Sequence, residues 1–210
     1  MVLPDGTDEL AVLARRAADG DAAAWRQLLD RAQPRLRRMV AVRLDDRLRA
    51  RVDPSDVLQE AYIDALGLLP RYVREPTVSP YLWLRLVTGH RLAKIHRHHL
   101  GVQARAVTRE DPRRLDAAPE ASCVAIADYL VGEATPPDRA AARAELRDRV
   151  RAALAELDPL DREAIALRHF EQLNATEAAK VLGISPAAAG KRYFRAVTRL
   201  TVILGPLRLD

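Results

Sequence analysis

Residues 174–200 read NATEAAKVLGISPAAAGKRYFRAVTRL, and the punctuation of this stretch decides the fold. Asn174 with Glu177 three residues on forms a capping-box pattern: each side chain accepts from the other residue's backbone N–H, and a helix begins. That helix stops at Gly183, the residue type that most readily takes a left-handed backbone. Ile184 can plug a core, and Ser185-Pro186 opens a second helix. The serine hydroxyl accepts from an orphan amide there, while proline fills the first helical position, where its missing N–H costs nothing. Helix, tight turn and helix together make a helix-turn-helix. On the second helix Ala189, Tyr193, Ala196 and Leu200 form an inward stripe, leaving Ala187, Ala188, Lys191, Arg192, Arg195 and Arg199 outside. Small residues at the N-terminal end permit close approach to a major groove, and the cations reach base edges and phosphates.

Outward from this stretch the same chemistry recurs. Asp53-Pro54, Ser79-Pro80 and Asp158-Pro159 are further helix starts, with Asp56 and Asp161 at the third helical position of two of them. Asp19-Gly20-Asp21 ends a short first helix and caps the next. Ala, Leu, Arg and Glu dominate, apolar residues recur at three- and four-residue intervals, and no run alternates as a strand would. The expectation is an all-α protein of two small helical domains, residues 8–101 and 143–204. Between them lies a linker, 102–142, where the apolar period fades and Pro112, Pro119, Pro136 and Pro137 intervene, with room for one short helical piece.

The first domain carries two contrasting helices. In DPSDVLQEAYIDALGLL, Val57, Leu58, Ala61, Tyr62, Ala65, Leu66 and Leu69 make a core stripe, and Asp56, Gln59, Glu60 and Asp64 lie opposite. Ile63 stands among those acids, which suits a basic protein partner with a small apolar anchor point. In YLWLRLVTGHRLAKIHRHHLG, Leu82, Leu86, Leu92 and Ile95 can pack inward, with Arg85, Arg91, Lys94 and Arg97 around the outside. No acid occurs from Arg85 to Ala106. Tyr81 and Trp83 begin this helix. Cations beside rings match the needs of single-stranded DNA, although a ring in a helical protein also serves as core filler.

The chain of 210 residues carries a formal net charge of +5, which suits an anionic partner. A single cysteine, Cys123, excludes an internal disulfide. With no secretory leader and no apolar stretch long enough to enter a bilayer, cytoplasmic residence and no membrane insertion are expected. No nucleophile with its base, phosphate-cradling glycine loop or metal quartet is visible, so no enzyme activity, catalytic residue, metal or cofactor is expected. His90, His96, His98 and His99 lack the acidic or cysteine support of a metal site.

The order of these parts resembles the extracytoplasmic-function (ECF) RNA polymerase sigma factors, whose chains hold regions two and four joined by a linker. DPSDVLQEAYIDAL looks like the polymerase-binding helix of region two, and NATEAAKVLGISPAAAGKRYFRAVTRL like the region-four helix-turn-helix. The resemblance implies that Asp56, Gln59, Glu60 and Ile63 contact the clamp helices of the largest subunit of core RNA polymerase. It implies that Trp83, His90, Arg91, Lys94 and Arg97 open and read the minus-ten element of promoter DNA. Ala187, Ala188, Lys191, Arg192 and Arg195 would then meet the minus-thirty-five major groove, and an anti-sigma factor would cover the same acidic and basic helices. Two departures stand out: Ala189-Gly190 occupies the place where the family has a β-branched residue and a lysine, and Ile95 replaces an aromatic. A stand-alone helix-turn-helix regulator of duplex operator DNA and a polymerase-binding decoy are the competing readings.

Overall fold

The computed structural model describes residues 6–49, 51–100, 118–134 and 140–204, and every element among them is helical. The helices are α1 (Gly6–Ala18), α2 (Ala22–Arg43), α3 (Asp46–Arg49), α4 (Pro54–Arg74), α5 (Pro80–Leu100), α6 (Cys123–Ala134), α7 (Ala140–Ala155), α8 (Pro159–Ile165), α9 (Ala175–Leu182) and α10 (Pro186–Leu204). A π-helical turn, Ala166–Phe170, continues α8. The starts read from sequence are present as hydrogen bonds. The Asp53 carboxylate accepts from Ser55 N–H at 2.7 Å and that of Asp158 from Leu160 N–H at 2.9 Å, each with proline following. The hydroxyls of Ser79 and Ser185 accept from Leu82 and Ala188 at 3.4 and 3.2 Å. Gly20, at φ 95°, turns the chain between α1 and α2, and Asp21 caps α2 by accepting from Ala23 and Ala24.

The chain divides into two compact units, Met1–Val40 with Arg51–Pro119, and Ala41–Ala50 with Glu120–Asp210. In the first unit α1, α4 and α5 pack on one another, with Leu13, Leu28, Leu36, Met39, Leu58, Leu69, Leu82 and Leu92 nearly inaccessible. In the second, α6 pairs with α7, and α10 lies across α7, α8 and α9. Its core includes Val42, Ile126, Val131, Leu154, Ile165, Phe170 and Ala196. That core also holds a charge. Arg43, fully buried, pairs with the equally buried Glu171 at 2.6 Å and with Glu163. Burial works against its cationic form, but the two carboxylates outweigh this and raise its pKa.

The expected boundaries differ from these units. The stretch 102–142, read as a linker with room for one short helical piece, contains the twelve-residue α6, whose Ala125, Ile126, Ala127 and Val131 are buried in the second unit, and the start of α7 at Ala140. The α6 run CVAIADYLVGEA is apolar enough to need a core, and it finds one against the following helix α7 together with Val42 and Phe170. The parts of that stretch at 102–117 and 135–139 lie outside the described residues.

Candidate functional site

On α4 the residues Val57, Leu58, Ala61, Ala65, Leu69 and Tyr72 are buried, and that stripe fixes what the opposite face presents. Asp56, Gln59, Glu60 and Ile63 are all exposed there, Ile63 to 73%. Four residues assigned to one surface therefore share one face, brought together by three- and four-residue spacing. Leu66, expected in the core stripe, is instead 50% exposed. Successive helical residues turn by about 100°, so Leu66 follows Ala65 out of the stripe onto its flank.

The helix α5 is split along its length. From Pro80 to Gly89 every residue is buried, and beyond that exposure begins. Trp83, expected among DNA-contacting groups, is 7% exposed and stacks on Tyr72 with ring centroids 4.4 Å apart. Its ring packs α5 against α4 and offers no free face to a base. Tyr72 is itself held by donating its hydroxyl to Val78 C=O at 2.8 Å, and burial pushes its phenol pKa up to about 12. Tyr81 is buried beneath the Arg35 guanidinium, 3.6 Å from the ring centre. Arg85, expected outside, is 1% exposed, because the first half of α5 is enclosed on every side.

Four of the remaining basic positions lie on the second half of α5. His90 is half-buried, while Lys94 and Arg97 are exposed. Arg91 turns back to α4: its Nε donates to Asp64 at 2.9 Å, and a guanidinium nitrogen lies 3.3 Å from Glu60. The acidic surface of α4 and the basic surface of α5 are thus stitched together by Arg91, which is 18% exposed. Sequence spacing within one helix could not disclose this pairing. Beside it lies a cavity of about 600 Å³, lined among others by Ile63, Leu68, Tyr72, Trp83, Leu86 and His90.

In the second unit the helix-turn-helix is built as its sequence specifies. Asn174 accepts from Glu177 N–H at 2.9 Å, Glu177 accepts from Asn174 N–H at 3.0 Å, and Gly183 closes α9 at φ 66°. Ala189 and Ala196 are buried, with Tyr193 and Leu200 packed against the core. Ala187 and Lys191 are exposed, and Ala188 is half-buried. Arg192 and Arg195 lie at the side of this face, both bonded to Asp161 of α8. A Cβ added at Gly190 would meet no atom within 4 Å, so packing within the chain does not require glycine there. Phe194, which the sequence reading passed over, is 73% exposed. It follows Lys191 by three residues and Ala187 by seven, spacing that puts all three on one face.

No group of three or more His, Cys, Asp or Glu side chains is placed to hold a metal ion among the described residues. Nor is any described helix long and apolar enough to cross a membrane. The family Sigma-70, region 4 matches residues 147–200, which contain the helix-turn-helix. The ECF RNA polymerase sigma factor ShbA of Streptomyces griseus subsp. griseus is 30% identical over 205 residues, spanning 95% of this chain and 97% of its own. RNA polymerase sigma factor CarQ of Myxococcus xanthus is 27% identical over 195 residues, spanning 93% and 97%. Among solved structures, CnrH in complex with the cytosolic domain of CnrY shares the fold, with a TM-score of 0.55, 24% identity and coverage of 92% and 96%. Similarity at this level runs through both units and not the helix-turn-helix alone, so the chain belongs to the ECF sigma factors and acts with core RNA polymerase to direct transcription initiation at promoters.

Proposed function

We propose a division of labour among three surfaces. The face of α4 made by Asp56, Gln59, Glu60 and Ile63 docks on the clamp helices of the largest polymerase subunit. The second half of α5, through His90, Arg91, Lys94 and Arg97, receives the minus-ten element, with Trp83 shaping the fold beneath it. The outer face of α10, through Ala187, Ala188, Lys191, Arg192 and Arg195, enters the minus-thirty-five major groove. There the open space at Gly190 suits close approach of the DNA. The protein works in the cytoplasm, beside polymerase and chromosome, as a specificity subunit with no chemistry of its own.

One observation carries this reading: a 73% exposed isoleucine that shares a helix face with the exposed Asp56 and Glu60, on a chain of net charge +5. An apolar anchor inside a charge of the minority sign fits a basic protein surface better than it fits DNA. The same acidic face is open to an anti-sigma factor, and such an inhibitor would compete with core polymerase for it; CnrH, which shares the fold, is itself found in complex with another protein, the cytosolic domain of CnrY. The test is binding of purified core polymerase to the wild-type chain and to Glu60→Lys and Ile63→Asp. Each variant, with helical content unchanged, is expected to bind at least about tenfold more weakly, or roughly 1.4 kcal/mol. Wild-type affinity in both would overturn the docking assignment.

A further inference from the structure

Two arginines of the recognition helix α10 are held from behind by one carboxylate. Asp161 of α8, its side chain 7% exposed, accepts from Arg195 Nε at 2.7 Å and Arg195 Nη2 at 2.6 Å, and from Arg192 Nη1 at 2.8 Å. The two bonds from Arg195 grip one edge of its guanidinium. A guanidinium has five N–H groups in a rigid plane, so the opposite edge, both hydrogens of Nη1 and the second of Nη2, remains outside this grip. Arg195 is 60% exposed, whereas Arg192 is 27% exposed and also lies 3.4 Å from Asp158. The hydrogen bonds from Arg195 and Arg192 lower the pKa of Asp161 against the opposing effect of burial, so the carboxylate is ionised near neutral pH.

We infer that Asp161 is a positioning residue for promoter reading: it fixes Arg195 so that the free edge of its guanidinium meets a guanine in the upstream promoter element, with Arg192 steadying the carboxylate. The inference rests on the proposal that α10 enters the minus-thirty-five major groove. A mobile arginine finds any phosphate. An arginine pinned along one edge offers a two-donor fork, which matches O6 and N7 of guanine and conflicts with the N6 donor of adenine. The carboxylate therefore raises discrimination at one G·C pair while lowering the net positive charge near the DNA by one. Its removal should weaken specific recognition and leave non-specific attraction undiminished. A purely structural role would weaken both together.

The experiment uses holoenzyme reconstituted from core polymerase and the full chain, on a promoter obtained by run-off from a genomic library. Initiation is compared on that promoter and on templates in which each G·C of the upstream element becomes A·T, alongside binding to promoterless DNA. Asp161→Asn is expected to lose about tenfold in discrimination at a single G·C, to keep it elsewhere, and to bind promoterless DNA at least as well as wild type. Arg195→Ala should lose discrimination at the same pair, and adding Asp161→Asn to it should change nothing more. Wild-type discrimination in Asp161→Asn, or an equal loss on every template, overturns the inference. If Asp161→Asn does not fold, Arg195→Ala and the charge-conserving Asp161→Glu decide together: loss at one and the same G·C in both upholds the inference, and discrimination kept at every G·C in either overturns it. Should the wild type itself ignore the upstream element, the placement of α10 fails instead, and that outcome is distinct from the others.

Discussion

Gln172 has φ 54°, and among the described residues it alone takes a positive φ without being glycine. It lies in the turn between the π-helical segment and the capping box of α9, next to the buried Leu173 and Glu171. A side chain in that region costs roughly 1 kcal/mol or more, and glycine avoids most of it. Gln172→Gly is therefore expected to raise stability by about 1 kcal/mol in urea denaturation; a fall would mean that contacts of the glutamine outweigh the strain. Nothing in the word Gln announces this conformation. Asn174, Glu177 and Gly183 announced theirs, because caps are satisfied within a few residues and need no distant partner. The burial of Arg85, expected outside, and the stacking of Trp83 on Tyr72 follow the converse rule: both depend on α4 and on enclosure that no local spacing encodes.

Elements show a similar contrast. The capping at Asp53, Ser79, Asp158 and Ser185 was readable, and so was the acidic face of α4, because one helix carries all of each feature. The ties between helices, Arg91 to Asp64 and Arg195 to Asp161, were not. The second of these has a consequence in acid. In the folded protein the carboxyl of Asp161 titrates below its ordinary 3.8, chiefly because of the hydrogen bond from Arg195, and unfolding returns it toward that value. The unfolded chain then binds more protons in the interval, so the tie contributes fully above 3.8 and is lost as pH falls through the lower folded value. The stability difference between wild type and Asp161→Asn should stay level from about pH 5 to 8 and shrink in more acid solution. A difference that grows on acidification would contradict the assignment of charge.

At the scale of the whole molecule, sequence periodicity disclosed the helical class, while α6 was legible only as room for one short helical piece, because its surroundings are proline-rich and its burial depends on α7 and on Val42 and Phe170. The molecule presents an acidic face of α4 with the exposed Ile63 on it, a basic half-helix joined to it through Arg91, and a helix-turn-helix with a basic and partly apolar outer face. A stand-alone regulator has no use for the first of these. A decoy has no use for the last. Only a factor that binds polymerase and reads promoter DNA uses all three. The direct test is run-off transcription by purified core RNA polymerase on a genomic promoter library, without the chain, with it, and with Glu60→Lys in its place. Initiation from defined start sites that requires the chain and disappears with Glu60→Lys is the result expected. No chain-dependent initiation, together with tight binding of duplex operator DNA by the chain alone, would contradict it.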